Sequence, residues 1–291
     1  MKLGAVLQSS ADFLEKRNVE SPRIAAELLA ARLLRCKRLD LPAKLDSTLP
    51  EKLIDAMRRG VVRVGKGEPV QYVIGQWDFR GITLKTDKRA LVPRPETEEL
   101  VQLLLNCKKL RAIESPRILD YGTGTGCIAL SIAHEFPGAK VVGIDTSAEA
   151  LELAAENAAE LGLTDRVSFL NCSEVDLADV FEGGAIHALI SNPPYIPTAA
   201  CNRLPSNVRE HEPMQALDGG PDGMDVIRAI LDESVMLLAS GGSVYFEISA
   251  EDNQAGAVAR YMSNLGFDDI ETHKDFAGAE RFLTGFLADG I

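Results

Sequence analysis

Short apolar runs alternate with helical patterns from residue 117 to residue 248, and this alternation restricts the chain to few folds. A strand, a helix and a second strand in succession form the repeat of a parallel sheet with helices on both faces. We therefore predict an α/β fold with a doubly wound, seven-stranded, mostly parallel sheet. The predicted strands span residues 117–120, 140–144, 167–170, 186–190, 243–248, 267–272 and 281–286.

The first part of the chain has a different pattern. Residues 1–66 show apolar residues at helical spacing and predict a small helical bundle. From residue 70 to residue 91 the pattern is β-like, and Arg80-Gly81 predicts the turn of a β-hairpin. We therefore predict a helical domain at 1–66, a linker with a β-hairpin at 67–93, and the sheet domain at 94–291.

Charge is distributed unevenly along the 291 residues. The net charge is −12, yet residues 1–66 carry 14 Lys and Arg against 8 Asp and Glu. The acidic main body argues against non-specific binding of nucleic acid, because phosphate contacts need Lys and Arg. The basic first segment suggests a surface for an acidic partner, although a solvated helical face explains the same charges.

Cysteine and hydropathy patterns bear on the cellular compartment. The five cysteines are scattered without a C-x-x-C pair, which favours reduced thiols and a cytoplasmic location over a disulfide framework or a zinc site. Four scattered histidines lack metal-ligand spacing, so we expect no metal. No apolar run approaches the ~20 residues that a membrane span needs. We expect a monomer without membrane contact.

A stiff loop follows the strand predicted at 186–190. Its sequence is Ser191-Asn192-Pro193-Pro194-Tyr195-Ile196, and two consecutive prolines end any strand or helix because each lacks an N–H and has a fixed φ. Open α/β sheets bind ligands beyond the carboxyl ends of their strands, where this loop would lie. The alternative is an ordinary proline-rich turn.

A glycine turn, Gly122-Thr123-Gly124-Thr125-Gly126, follows the first predicted strand. Glycines let a ligand approach the backbone closely. Asp145 ends the second predicted strand, where a carboxylate can accept hydrogen bonds from ribose hydroxyls. This pair fits NAD or S-adenosylmethionine, but the dinucleotide fingerprint needs Gly or Ala at the position of Cys127. Asp120 could meet the ammonium and sulfonium of S-adenosylmethionine, or it could cap the strand.

Together, Asp120-x-Gly122-x-Gly124-x-Gly126 and Asn192-Pro193-Pro194-Tyr195 resemble the motifs of class I S-adenosylmethionine-dependent methyltransferases that act on planar amide or amino nitrogens. The segment Val92-Pro93-Arg94-Pro95-Glu96-Thr97-Glu98 resembles the glutamine-N5 methyltransferases of peptide chain release factors. Residues 67–72, 212–223 and 274–278 resemble the same family, so the resemblance covers nearly the whole chain.

The resemblance implies a methyltransferase domain at 94–291, a release-factor-binding domain at 1–66, and S-adenosylmethionine as methyl donor. The substrate would be the glutamine of a Gly-Gly-Gln loop, methylated on its side-chain nitrogen N5. The stretch Cys172-Ser173-Glu174 stands where the family often has Asp followed by a large apolar or aromatic residue near the adenine. The residues expected to bind the cofactor are Asp120, Gly122, Thr123, Gly124, Thr125, Gly126, Asp145, Ser173 and Glu174.

The loop at 191–196 would carry the catalysis. An amide nitrogen is a poor nucleophile, so the protein must orient it toward the methyl group and stabilise its developing charge. Asn192 Oδ1 and the Pro193 carbonyl can accept the two amide hydrogens. Tyr195 offers a flat face for the planar amide, with Pro194 beside it, and the resemblance makes Phe79 the candidate for the opposite wall.

Two other functions are compatible with parts of this pattern. Methyltransferases for adenine N6 or cytosine N4 use a similar Pro-Pro loop on a flipped base, but the acidic main body counts against them. A non-catalytic module that docks a translation factor through the basic first segment is the second alternative. The intact loop beside an intact glycine turn counts against that one.

Overall fold

The computed structural model describes residues 1–181, 185–251 and 253–288. Two 3-10 helices lie at Arg38–Lys44 and Met214–Ala216. The α-helices are α1 (Leu3–Glu15), α2 (Pro22–Leu34), α3 (Glu51–Val64), α4 (Val70–Ile74), α5 (Pro95–Asn106), α6 (Lys108–Arg111), α7 (Cys127–Glu135), α8 (Ala148–Leu161), α9 (Leu177–Val180), α10 (Thr198–Cys201), α11 (Ser206–Arg209), α12 (Asp225–Leu237) and α13 (Gln254–Asn264). The strands are β1 (Gln76–Phe79), β2 (Ile82–Lys85), β3 (Arg117–Tyr121), β4 (Lys140–Asp145), β5 (Val167–Asn171), β6 (Ile186–Ser191), β7 (Leu238–Glu247), β8 (Phe267–Lys274) and β9 (Glu280–Leu287).

The contacts within the chain define two compact units. The helical unit comprises Met1–Trp77, Thr86–Lys88 and Pro205–Glu212. The sheet unit comprises Asp78–Lys85, Arg89–Leu204 and Pro213–Ile291. The boundaries predicted at residues 66 and 93 stay a prediction, because a compact unit need not be a functional domain.

The helical unit is organised around one apolar core. Buried residues of α1, α2 and α3 form this core, as their helical spacing predicts, and they include Leu7, Leu14, Ala26, Leu29, Met57 and Val61. Helix α4 packs against α2 and α3. Across the described ranges, no helix is both long and apolar enough to span a membrane.

The β-like pattern predicted from residue 70 is wrong at its start, because residues 70–74 form α4. Pro69 precedes this helix, and Gly75 ends it at a left-handed φ of 71°. Proline at a helix start and glycine just past its end are strong helix boundaries, and they outweigh the β-branched residues between them. The predicted hairpin is confirmed, since β1 and β2 form a two-stranded sheet.

The sheet unit contains a seven-stranded sheet with the strand order β5-β4-β3-β6-β7-β9-β8. Five strands, β3 to β7, are parallel, and β9 pairs antiparallel with both β7 and β8. The predicted α/β class and the doubly wound, seven-stranded, mostly parallel sheet are therefore confirmed.

Apolar residues cover both faces of this sheet. Neighbouring residues of β3 point to opposite faces, so Ile118 belongs to one apolar core and Leu119 to another. Helices α5 and α7 supply residues to the first core, and α12 and α13 supply residues to the second. Both faces are therefore covered along the central strands, and the edge at the carboxyl ends of the strands is left for ligands.

The chain reverses its winding direction between β3 and β6. From β3 it proceeds outward through β4 and β5, whereas β6 and β7 lie on the other side of β3. Tyr121, the last residue of β3, pairs with Ser191, the last residue of β6. The glycine turn and the Asn192 loop therefore start side by side, at the point where doubly wound sheets open a crevice for ligands.

Candidate active site

A cavity of about 210 Å³ lies at this crevice, and all the residues that line it belong to the sheet unit. This volume is several times the ~30 Å³ that a water molecule occupies in the liquid. The lining residues come from the segment before α5, the glycine turn, the ends of β4 and β5, the Asn192 loop and helix α12. They include Arg89 to Arg94, Thr97, Tyr121 to Thr125, Asp145, Cys172, Asn192 to Pro194, Gln215 and Ile230.

The glycine turn is shaped by left-handed backbone at Gly122, Gly124 and Gly126, whose φ angles are 76°, 54° and 80°. Residues other than glycine adopt these backbone angles only with strain. The backbone N–H groups of Gly122 and Thr123 both donate to the carbonyl of Ile144, at 2.8 and 2.9 Å. The turn is thus tied to β4 through its own backbone.

Asp120 supports the turn from below. Its side chain is fully buried, and Oδ2 accepts hydrogen bonds from Thr123 Oγ1 at 2.6 Å and from the Ala129 N–H at 3.1 Å. Burial raises the pKa of Asp120 to about 7. Oδ1 is buried and has no hydrogen-bond partner within the described part of the chain. Asp120 is not among the described residues that line the cavity, so contact between this oxygen and a cationic ligand group stays a prediction.

Asp145 lies at the cavity wall, at the end of β4. Its Oδ2 accepts from the Gly124 N–H and its Oδ1 from the Ser147 N–H, both at 3.0 Å. Each oxygen keeps further lone pairs after these bonds. Asp145 therefore clamps the glycine turn and can still accept hydrogen bonds from a ligand.

The residue that lines the cavity at the end of β5 is Cys172. Ser173 and Glu174 follow it and are exposed, and both the N–H and the hydroxyl of Ser173 bond to Asn171 Oδ1, at 3.0 and 2.6 Å. These bonds belong to the turn itself. Of the stretch 172–174, the structure brings Cys172 to the cavity, and cofactor binding by Ser173 and Glu174 stays a prediction.

The Asn192 loop forms the opposite wall. Asn192, Pro193 and Pro194 line the cavity. Asn192 Nδ2 donates to Thr97 Oγ1 at 3.0 Å, and Thr97 Oγ1 donates to Glu247 Oε2 at 2.8 Å. The amide of Asn192 is therefore anchored by its nitrogen end, which leaves Oδ1 as its unengaged acceptor in this chain of bonds.

Glu247 ends β7 beneath this wall, and its side chain is only 2% exposed. Burial raises the pKa of Glu247 to about 7, although Thr97, Arg281 and Tyr195 oppose the shift. Tyr195 OH donates to Glu247 Oε1 at 3.3 Å. Burial and this neighbouring carboxylate raise the pKa of the Tyr195 hydroxyl above its ordinary value.

Two predicted substrate residues occupy other positions than the cavity wall. Phe79 is 1% exposed and packs in the apolar core that includes Leu84 and Leu104. Tyr195 is half-buried, packs against the core on the other sheet face, and turns its hydroxyl to Glu247. Neither is among the described residues that line the cavity, so contact with a substrate stays a prediction for both.

Sequence reasoning assigned no site role to Thr97 or Glu247. Glu247 carried a signal, because it is a lone carboxylate that follows the apolar run Val244-Tyr245-Phe246 in a buried strand. A buried carboxylate needs partners, and such groups concentrate at functional sites. Thr97 gave a weaker signal, because its position in the first turn of α5 looks like that of an ordinary helix residue.

Two family models match the chain. The PrmC N-terminal domain matches residues 5–75, and a methyltransferase domain matches residues 114–240. A release factor glutamine methyltransferase of Rhodopirellula baltica is 38% identical over 96% of this chain and 94% of its own length. The enzyme of the same name from Deinococcus radiodurans is 37% identical over the full length of both chains.

The chain belongs to the release factor glutamine methyltransferase family. Among solved structures, a methyltransferase from Pyrococcus furiosus resembles it with a TM-score of 0.52 and 19% identity, over 72% of this chain and 90% of that one. At this identity the likeness concerns the fold alone. The fold is that of methyltransferases, as the resemblance in sequence implied.

The site suits the cofactor of such a methyltransferase. The left-handed glycine turn gives close access to backbone, Asp145 lies at the wall, and Asp120 keeps a buried oxygen without a partner in the described part of the chain. S-adenosylmethionine carries ribose hydroxyls as donors and two cationic groups. Asp145, the carboxylate among the described residues that line this wall, therefore fits the ribose hydroxyls of the cofactor.

Proposed function

We propose that this protein transfers a methyl group from S-adenosylmethionine to the side-chain amide nitrogen N5 of a glutamine in a peptide chain release factor, in its Gly-Gly-Gln loop. The observation that carries this proposal is the neutral amide of Asn192 at the cavity wall, anchored through its nitrogen end. A neutral acceptor suits a neutral amide substrate. The names of the relatives support the choice of substrate.

The glycine turn and the carboxylates would hold the cofactor. Asp145 at the cavity wall would accept hydrogen bonds from the ribose hydroxyls. The buried carboxylate of Asp120, which supports the glycine turn, would favour the cationic end through its charge. When bound, S-adenosylmethionine supplies a methyl group on a positively charged sulfur, which makes the methyl carbon electrophilic. The protein therefore needs to supply position and electrostatics more than activation.

The Asn192 loop would hold the substrate amide. Asn192 Oδ1 and the Pro193 carbonyl would accept its two N–H groups, which fixes the nitrogen in place. Both acceptors also favour the positive charge that develops on the nitrogen during transfer. The methylated nitrogen is acidic and can lose a proton late, so the reaction requires no strong base at this wall.

The deciding experiment incubates the protein with methyl-labelled S-adenosylmethionine and a purified release factor, and then maps the label by mass spectrometry. We expect one methyl group on the glutamine of the Gly-Gly-Gln loop. A release factor with that glutamine replaced by Glu is the matched control. Single-stranded and duplex DNA and RNA go into parallel reactions, and label on an adenine or cytosine would favour the nucleic-acid alternative.

Two exposed basic residues of the helical unit are our candidate for docking the release factor. Lys52 and Arg59 are exposed on α3, and their spacing of seven residues puts them on one face of the helix. Exposed charges contribute modestly to association and are weakened by salt. Docking of an acidic surface here would leave the chemistry of the sheet unit unchanged.

Reversal of both charges, in Lys52→Glu with Arg59→Glu, should raise KM for the whole release factor roughly fivefold, or about 1 kcal/mol. The single-turnover rate at saturating release factor should stay the same. Lys140→Glu, at the exposed first residue of β4, is the matched control in the sheet unit. An equal KM in the double variant and the wild type would remove this face from the docking surface.

A further inference from the structure

A chain of hydrogen bonds connects the Asn192 amide to a buried carboxylate. It runs from Asn192 Nδ2 to Thr97 Oγ1 (3.0 Å) and from Thr97 Oγ1 to Glu247 Oε2 (2.8 Å). Its members come from the loop after β6, the first turn of α5 and the end of β7. Thr97 and Glu247 are each 2% exposed, so water does not compete for the bond between them.

The chemistry of the three groups gives this chain one direction. An ionised carboxylate only accepts hydrogen bonds, so the single hydrogen of the Thr97 hydroxyl must point to Glu247. The hydroxyl oxygen can then only accept from its other neighbour. That neighbour is Asn192, whose amide must therefore present its NH2 end to Thr97 and its oxygen end elsewhere.

Without such a constraint the amide could turn over. The terminal torsion of an Asn side chain has broad, roughly two-fold preferences, so the two ends of the amide exchange places at little cost. The backbone of the loop is already fixed by Pro193 and Pro194, and Gln254 Nε2 donates to the Tyr195 carbonyl at 3.1 Å. The torsion that sets which end of the Asn192 amide faces the cavity is therefore the remaining conformational freedom at this point of the loop.

We propose that Thr97 and Glu247 are positioning residues that fix which end of the Asn192 amide faces the cavity. With the nitrogen end bound to Thr97, Oδ1 is directed to accept an N–H of the substrate amide. In the opposite orientation, an NH2 group would face the N–H groups of the substrate and could not bind them. This inference rests on the proposed function, because it assumes an amide substrate at Asn192.

The state of Glu247 determines the direction of the chain. A protonated Glu247 could donate to Thr97, which would then donate to Asn192 and favour the unproductive orientation of the amide. The charged and titratable groups that act on Glu247 are Arg281 of β9, Glu96 of α5, Tyr195 of the loop and Cys127 of α7. Arg281 is itself bound to Asp275 at 3.3 Å, which holds its charge near β7.

Three variants test the proposal in the full-length protein with a purified release factor. Thr97→Val keeps the shape but removes the hydroxyl, and we expect a single-turnover rate about tenfold lower. Thr97→Ser restores the hydroxyl and should recover most of the rate. Thr272→Val, at an exposed position of β8, is the matched control and should retain the wild-type rate.

The third variant, Glu247→Gln, is read from its pH profile. In the wild type the rate at saturating substrates should fall as the pH decreases below about 7, because Glu247 becomes protonated. Gln does not titrate, so its profile should lack the contribution of Glu247, with a rate several-fold lower at pH 8. Asp120 titrates in both proteins, so the ratio of the wild-type rate to the Glu247→Gln rate isolates Glu247, and this ratio should fall as the pH decreases below about 7. Glu280→Gln, exposed at the start of β9, should keep the acid limb.

Cofactor affinity and KM separate positioning from general damage. Calorimetry should give the same S-adenosylmethionine affinity for all variants, and the loss should lie in the rate at saturation. Equal rates for Thr97→Val and wild type, or a ratio of the wild-type rate to the Glu247→Gln rate that stays constant with pH, would overturn the inference. A wild-type protein that does not methylate glutamine would instead overturn the proposed function, so the two failures are distinguishable.

Discussion

The glycine turn after β3 and the Asn192 loop after β6 line the same cavity, but contacts of different range hold them in place. The turn is tied down by its own backbone and by Asp120 and Asp145, which lie at most 21 residues from the groups they bind. The Asn192 side chain depends on Thr97, 95 residues earlier, and Thr97 in turn depends on Glu247, 150 residues later.

This difference separates two kinds of precision. Left-handed backbone angles that favour glycine shape the side of the cavity formed by the glycine turn, here called the glycine wall, so its geometry depends on which positions lack a side chain. Buried side-chain hydrogen bonds shape the side of the cavity formed by the Asn192 loop, here called the acceptor wall. Its geometry therefore depends on which polar groups are present. A substitution at the acceptor wall should therefore lower the rate of methyl transfer. A substitution at the glycine wall should instead weaken cofactor binding.

The largest effect should come from Asn192→Ala. It removes the acceptor aimed at the developing positive charge, which should lower the single-turnover rate about a hundredfold, or about 3 kcal/mol. Asn192→Asp should be impaired but more active, because a carboxylate still accepts hydrogen bonds while its desolvation on substrate binding is costly. S-adenosylmethionine affinity should barely change in either variant. A wild-type rate in Asn192→Ala would make the loop a structural turn only.

The predictability of the site from sequence follows the same division. The glycine turn and the strand end at Asp145 were both predictable, because each depends on residues close along the chain. The proline-locked loop was predictable for the same reason, since two prolines fix the backbone wherever they occur. The sheet class followed from the alternation of short apolar runs and helical patterns.

The residues that escaped sequence analysis depend on contacts distant in the sequence. Thr97 and Glu247 meet only because α5 and β7 pack together in the folded sheet unit. The sequence alone allows Phe79 to be either an aromatic wall of the site or a core residue. The folded structure decides between them, and Phe79 lies in the core. Helix α4 was obscured by its β-branched residues, although Pro69 and Gly75 at its ends were visible in the sequence.

The second prediction asks whether the acceptor wall carries a buried charge. Burial raises the pKa of Glu247 from 4.5 to about 7, so the folded protein binds more protons than the unfolded chain between these values. The free energy of unfolding of the wild type should therefore fall as the pH rises through this window. Glu247→Gln lacks this titration, so its stability relative to wild type should rise by roughly 2–3 kcal/mol between pH 5 and pH 8.

Denaturant unfolding of both proteins at each pH measures this difference. Asp120 titrates in both of them, so its contribution cancels in the comparison. Glu280→Gln controls for the removal of an exposed carboxylate and should follow the wild type. Parallel stability curves for wild type and Glu247→Gln would mean that the pKa of Glu247 is not raised. Protonation of Glu247 could then not reverse the direction of the hydrogen-bond chain near pH 7.

The third prediction concerns the glycine wall. Asp145→Ala removes the acceptor for the ribose hydroxyls and the clamp on Gly124, which should weaken S-adenosylmethionine binding by roughly 1–3 kcal/mol. At saturating cofactor the rate should fall far less than in Asn192→Ala, because the acceptor wall is intact. Calorimetric affinity equal to wild type would remove Asp145 from the cofactor site.

The smallest effect, and the sharpest test of the backbone argument, comes from a matched pair of glycines. Gly122 and Gly162 have left-handed φ angles of 76° and 66°, and an added Cβ would meet no described atom within 4 Å at either position. Gly122→Ala and Gly162→Ala should therefore destabilise the fold equally, by roughly 1 kcal/mol, through backbone strain alone. Only Gly122 lines the cavity, so only Gly122→Ala should also weaken S-adenosylmethionine binding several-fold. Equal S-adenosylmethionine affinities in the two variants would show that the glycine wall tolerates a side chain at Gly122. Cofactor binding at that position would then not depend on the absence of a side chain.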